Sequence, residues 1–199
     1  MTYDYHLVAG VVAILLGLAG AVVYLRSVFQ GKTKSHPFTW LTYMLIDSIA
    51  FVAQLTNGGG LGAWVTGVGV LLLITIVIAS VRSGERRIAT SDWVCFIVAL
   101  ASIVAWRLTG DPLVAVIIIT AINSIAAIPT FRKSYVRPFE ESVSVWSFDV
   151  FKFSLGIVAL NSINLITALF PAGIVVTNVA LVIMILLRRR RLGKVSGTV

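Results

Sequence analysis

Three ionisable residues, Asp47, Asp149 and Lys152, fall deep inside apolar stretches of this sequence. A charge at the middle of a membrane helix costs at least about 2.5–3.5 kcal/mol on insertion scales, so such residues are paired or face a cavity. Asp149 and Lys152 are three apart and share a helix face. Asp47 follows Pro37 by ten residues and Asp149 follows Pro138 by eleven, which sets the two carboxylates at similar depth. The spacing predicts a central charge cluster in which Lys152 faces one or both aspartates. Such a cluster can bind a polar solute or carry a proton. The competing reading is an ion pair that only fixes helix packing.

Uncharged polar residues extend the pattern. Thr120, Asn123 and Ala127 make a small polar face, and Gln54 lies seven residues beyond Asp47 on the same face. Thr177 and Asn178 interrupt the last apolar stretch, and Asn161 and Asn164 lie near the outer end of the stretch before it. Asn123, Asn178 and Gln54 therefore join Asp47, Asp149 and Lys152 as candidate solute-binding residues, although each alone also serves as an interhelical hydrogen bond. Other chemistries lack their residues. Gly58-Gly59-Gly60 has no Lys-Ser/Thr of a phosphate loop and follows no strand. His6 and His36 fall on opposite faces, so they form no metal pair. Cys95 is the single cysteine and reads as a small buried residue. No Ser-His-Asp set stands out. Neither an enzyme, a cofactor nor a metal is expected.

The elements that must position these residues are membrane spans. Of 199 residues 58% are apolar and only 12% charged, against about a quarter charged in soluble domains. Lipid offers no partner to the backbone, so a span is a helix or a closed barrel, and these stretches are too long and too unbroken for barrel strands. Seven spans are predicted, at His6–Leu25, Pro37–Leu55, Gly60–Val81, Ser91–Leu108, Pro112–Phe131, Ser142–Leu165 and Pro171–Leu187. Asn57-Gly58-Gly59-Gly60 and Thr109-Gly110-Asp111-Pro112 read as breaks, with Pro112 and Pro171 placed to start helices. The leader Met1–His6 has no basic residue, which argues against a cleaved signal.

The net charge of +8 records topology rather than a nucleic-acid partner. Arg26, Lys32 and Lys34 follow span one. Arg82, Arg86 and Arg87 follow span three, and Arg132, Lys133 and Arg137 follow span five. Arg188, Arg189, Arg190, Arg191 and Lys194 follow span seven. With seven spans all of these share one face, and only Arg107 lies at the other. The positive-inside rule then puts the N-terminus outside and the C-terminus in the cytoplasm, in a plasma (inner) membrane. The terminal arginines read as a stop-transfer anchor that meets membrane lipid.

The spans divide three, one, three. Pro37-Phe38 opens span two and Pro138-Phe139 opens span six, each with an apolar span and a basic loop before it. The expected organisation is all-α: a first three-helix unit over 1–88, a linker helix over 89–110, and a second unit with a basic tail over 111–199. The single linking span makes the repeats parallel. Ala9, Ala13, Gly17 and Ala21 recur every four positions, with Ala63 and Gly67 in span three, as close helix contacts require. Trp40, Trp64, Trp93 and Trp146 sit near span ends, where interfacial anchors sit.

Ile128-Pro129-Thr130-Phe131-Arg132-Lys133-Ser134, followed by Pro138-Phe139-Glu140-Glu141-Ser142 and Trp146, resembles the cytoplasmic corner of PQ-loop and SWEET-type membrane transporters. The three-one-three layout is similar to theirs over most of the chain. The first unit has Val23-Tyr24-Leu25-Arg26 where that family's proline stands, and no Pro-Gln pair occurs. Asp47, Asp149 and Lys152 have no counterpart in the sugar-transporter pattern. The resemblance implies transport of a small solute by alternating access, with Pro129 and Pro138 as hinges, and the carboxylates make coupling to protons a further expectation. The alternative is a seven-helix receptor or sensor that binds a ligand in the same cavity. A retinal protein with Lys152 as Schiff base ranks third. A homo-oligomer is left open.

Overall fold

The computed structural model describes residues 4–31, 37–83, 90–141 and 143–195. These fold into α1 (Tyr5–Phe29), α2 (Pro37–Thr56), α3 (Gly60–Ser83), α4 (Thr90–Thr109), α5 (Pro112–Ala126), α6 (Ile128–Val136), α7 (Val143–Val158) and α8 (Leu165–Val195), with a 3₁₀ turn at Pro138–Glu140. Only Ala127, itself in a helical conformation, separates α5 from α6. The described residues thus form seven rods and contain no strand. Lys32, Lys34, His36, Arg86, Arg87 and Ser142, singled out above, lie outside the described residues.

Five rods are long and apolar enough to cross a bilayer by length and composition: α1, α2, α3, α5 with α6, and α8. The outer faces of these rods and of α4 and α7 carry large apolar side chains that a water-soluble protein would bury: Leu15, Val22, Ile78, Val94, Ile97, Val104, Ile117, Phe151 and Val176 are all exposed. The molecule is a helical membrane protein.

Sequence punctuation explains most helix starts. Asp4 caps α1 by accepting from His6 N at 3.0 Å. Asp111 caps α5 in the same way from Leu113 N at 2.9 Å, with Pro112 in the first turn. The boundary between the sixth and seventh rods differs from expectation. The sixth rod, α7, ends at Val158 rather than near Leu165, and α8 begins at Leu165, so Pro171 lies inside the helix and does not start it. The cap responsible is Asn164, whose Oδ1 accepts from Ile166 N at 2.9 Å and Thr167 N at 3.1 Å. Thr167 Oγ1 accepts in return from Asn164 N at 3.0 Å, a reciprocal cap that outranks the proline as a start signal.

Neighbour relations follow a regular scheme. α3 packs on both α1 and α2, and α8 packs on both α5 and α7. Across the molecule α1 meets α7 and α2 meets α5, while α4 leans on α5 and α2. The two ends of the bundle are distinct. At one end Trp40 Nε1 donates to the Tyr24 hydroxyl at 3.0 Å, Phe38 packs on Trp93, and Arg188 Nε donates to Tyr135 O at 3.0 Å. This end carries Arg26, Arg82, Arg132, Arg137 and Arg188–Arg191 and is called the basic end below. At the far end lie Asn57–Gly60, the Gly110 turn and the 159–164 connection. The apolar core sits between, around Ile46, Ile49, Val116, Ile119, Phe153 and Phe170.

Candidate functional site

Lys152 is a long cation on α7, and its route through the bundle is cut by glycines. A Cβ at Gly17 of α1 would stand 3.4 Å from its Cδ, and one at Gly69 of α3 would stand 3.3 Å from its Nζ. The lysine stem threads between these two helices and its ammonium ends beside Gly69. There it lies 4.4 Å from the centroid of the Phe153 ring. Asp47 of α2 approaches the same spot, its Oδ2 3.7 Å from a Cβ at Gly69. Side chains from α7 and α2 therefore converge across α3. Larger residues at 17 or 69 would fill this path, so the small-residue stripe of α1 does more than bring backbones together.

The cluster lines a cavity of about 210 Å³. Asp47, Asp149, Lys152, Asn123, Thr177 and Asn178 all face it. Asp47, Lys152 and Asn178 are buried, and Asn123 and Asp149 are half-buried. Five of the six candidate solute-binding residues thus share one space. Gln54, the sixth, is outside that lining. It is buried towards the far end, where its Nε2 donates to Thr167 O at 2.9 Å. Pro171 explains this bond. A proline in a helix lacks the N–H that would reach the carbonyl four residues back, which here is that of Thr167. Gln54 supplies the missing donor, as membrane helices with internal prolines require.

The cavity walls are aromatic and point one way. Tyr24, Trp40, Tyr43, Trp146 and Phe148 line it together with Thr130 and Val145, and these belong to the half of the molecule near the basic end. Tyr24 and Trp40 stack edge-on at 4.8 Å, and Trp40 and Tyr43 at 5.9 Å. Of the four tryptophans expected as interfacial anchors, Trp64 and Trp93 do face outward, half exposed, whereas Trp40 and Trp146 turn into the cavity. Only their position near helix ends was visible in the sequence.

Towards the far end the packing is tight. A Cβ at Gly62 would stand 2.6 Å from Leu160 N, and one at Gly60, whose φ is +55°, would overlap the Asn161 side chain. Asn161 N donates to Gly59 O at 3.2 Å, and Leu61 N donates to Asn161 Oδ1 at 3.1 Å. Asn164 Nδ2 reaches Asn57 O at 3.4 Å. Asn161 and Asn164 therefore join the α2–α3 turn to the α7–α8 connection.

The proposed hinges occupy the basic end. α5 stops at Ala126, three residues before Pro129, and α6 starts at Ile128. A proline at 129 removes the donor for the carbonyl four residues earlier, which accounts for a break at that point. Pro138 is buried and starts the 3₁₀ turn. Arg189 holds this corner: its Nε donates to Pro138 O at 3.0 Å and its Nη2 to Glu141 O at 2.6 Å. Trp146 Nε1 donates to Glu141 Oε2 at 3.3 Å, which ties the corner to the cavity wall. Two of the terminal arginines thus clamp the corner, with Arg188 lying over the Tyr135 ring at 4.1 Å.

Compared with models of known protein families, with curated proteins and with solved structures, the chain matches none.

Proposed function

We propose that this protein is a small-solute transporter that works by alternating access, built as two parallel three-helix units joined by a linker helix. The neighbour scheme supports the repeat: exchanging α1 with α5, α2 with α7 and α3 with α8 turns each packed pair of these helices into another. In each unit the third helix lies between the first two. The linker α4 stands outside this exchange. On this reading the chain is a divergent member of the PQ-loop and SWEET-type group, with its basic end in the cytoplasm and its N-terminus outside, in a plasma (inner) membrane.

The observation that carries the proposal is a cavity lined by α1, α2 and α3 on one side and by α5, α7 and α8 on the other, which collects Asp47, Asp149 and Lys152. It reaches from the cluster toward the basic end, while the far end is joined by hydrogen bonds between the units. A site at mid-depth with one side closed is what alternating access requires at each half of its cycle. Pro129 and Pro138 stand where the open side would have to move.

Uptake into proteoliposomes tests the proposal. Solutes from a broad panel are expected to move in the wild type and not with Asp47→Asn. A panel in which nothing moves, with ligands still bound, would favour the receptor reading. Orientation is checked separately: a cytoplasm-active reporter fused after Lys194 should be active and one inserted at Gly59 silent.

A further inference from the structure

The charges of the cavity do not balance. Among its lining residues Asp47 and Asp149 are acidic and Lys152 is basic, so full ionisation leaves one excess negative charge in a space walled by apolar and aromatic groups. Lys152 is the single cation among these lining residues and cannot neutralise both carboxylates: its ammonium sits beside Gly69, which Asp47 Oδ2 also approaches, and its stem is held against Gly17. Asp149 precedes Lys152 by three residues and follows Trp146 by three, so it lies one turn nearer the basic end, on the side of the aromatic walls. The other titratable groups facing this space are the Tyr24 phenol from α1 and the Tyr43 phenol from α2. α3 offers Gly69, Leu72, Leu73 and Ile76, α5 offers Asn123, and α8 offers Thr177 and Asn178, none of which titrates.

A largely apolar-walled cavity with one carboxylate in excess is stabilised by a positive charge. Two species can bring one: a proton, or a cationic solute. Each satisfies the same carboxylate, so each excludes the other. The walls add a preference between cations. Trp40, Trp146, Tyr24 and Tyr43 line the space, and aromatic rings attract desolvated cations.

We propose that the cavity takes a small organic monocation bearing an apolar or aromatic group, and that this cation and a proton exchange at Asp149. On binding, the cation pairs with the Asp149 carboxylate and the proton held there leaves to water at the basic end; on release the proton returns. Mutually exclusive binding of this kind couples the two in opposite directions. The proposal rests on the solute-site reading above and specifies its substrate class.

Benzyltrimethylammonium is a suitable probe because its charge is fixed and it carries no proton of its own. Binding to the purified full chain in detergent, followed by calorimetry in buffers of different protonation enthalpy between about pH 5 and 9, should show affinity that weakens toward acid, nearing tenfold per pH unit, with up to one proton released per cation. Benzyl alcohol and benzoate, of similar shape, should bind at least tenfold more weakly. Asp149→Asn should bind the cation at least tenfold more weakly and release no proton, while Asp149→Glu should keep the release. Affinity for the cation that is flat over this range, or benzyl alcohol binding as tightly as the cation, overturns the proposal without any variant having to fold. The two readings part in proteoliposomes. Binding with proton release but no movement under a pH gradient would sink the transporter and keep the cation site. Movement of a sugar or an anion, with the cation excluded, would sink the cation site and keep the transporter.

Discussion

The half of the bundle near the basic end and the half beyond Asp47 are built from similar residues and put them to opposite use. Near the basic end, Asp47, Asp149, Lys152, Asn123 and Asn178 point into a shared space. In the far half, Gln54, Asn161 and Asn164 are spent on backbone groups about a hundred residues away in sequence. Charge marks the first region, and neutral amides with close-packed glycines mark the second. An amide can satisfy a backbone group at modest cost and hold two helix connections together. A charge in lipid needs a counter-charge or a wet space, so it gathers into a site. The difference teaches that a polar residue in a span is better read from what its neighbours leave unsatisfied than from its depth.

The sharpest way to break the comparison is at Lys152. Lys152→Met leaves two carboxylates in the bundle without their cation, and removing one partner of a buried charge pair costs about 3–5 kcal/mol. Unfolding in mixed micelles should report that loss. Replacing Asp47 and Asp149 by Asn in the same chain should restore stability and leave a folded protein that neither binds nor transports. A triple variant with wild-type activity would show that the charges are structural and that the site lies elsewhere.

Gly62→Ala strikes the far half. Its new Cβ would stand 2.6 Å from Leu160 N, 2.7 Å from Leu160 Cα and 2.8 Å from Gly156 O, all of them backbone atoms that do not swing aside. Overpacking of this kind costs about 1–3 kcal/mol, and the upper end applies because α3 must shift away from the start of the 159–164 connection. The expected result is a lower unfolding midpoint with solute affinity per folded molecule unchanged. An unchanged midpoint would mean that the two connections are not packed as described.

Gln54 offers a finer test, because it was expected to bind solute. Gln54→Leu strands the Thr167 carbonyl, a loss of about 1–3 kcal/mol. The loss should sit near the low end, because Gln54 Oε1 is itself buried with no partner among the described residues and goes too. Adding Pro171→Ala gives α8 its own N–H for that carbonyl. The double variant should recover most of the loss, and a cycle over the four proteins should show coupling of about 1 kcal/mol. Additive effects would separate Gln54 from Pro171 and reopen its place in the site.

Legibility in the sequence follows the same division. Helix positions were readable because long apolar runs, Gly-rich breaks and a proline start such as Pro112 are local signals. The charge cluster was readable because burial of charge is costly wherever it occurs. The end of α7 and the start of α8 were not, since Pro171 is a conspicuous start signal and the Asn164–Thr167 cap is a quiet one. The role of Gln54 depends on a carbonyl 113 residues away, which no local pattern reveals. Trp40 and Trp146 looked like anchors because position along a helix fixes depth but not facing. Gly17 and Gly69 were visible as small residues, yet their purpose appears only once Lys152 is seen to run between them.

Gly69→Ala is the smallest expected effect and the closest test of that last point. Two influences on stability oppose each other. Alanine favours a helix over glycine by about 1 kcal/mol. Against this, the new methyl carbon would meet Lys152 Nζ at 3.3 Å and Asp47 Oδ2 at 3.7 Å. The second contact is ordinary, and the first involves the far end of a flexible side chain that can move by a few tenths of an ångström. Stability should therefore stay within about 1 kcal/mol of wild type. Function should not be so tolerant, because the methyl stands beside both the ammonium and the Asp47 carboxylate. A few tenths of an ångström there changes how the two share charge, and the cation affinity should move severalfold while the unfolding midpoint holds. If the midpoint falls steeply instead, Gly69 is a packing residue like Gly62 and the two halves are less distinct than their chemistry indicates.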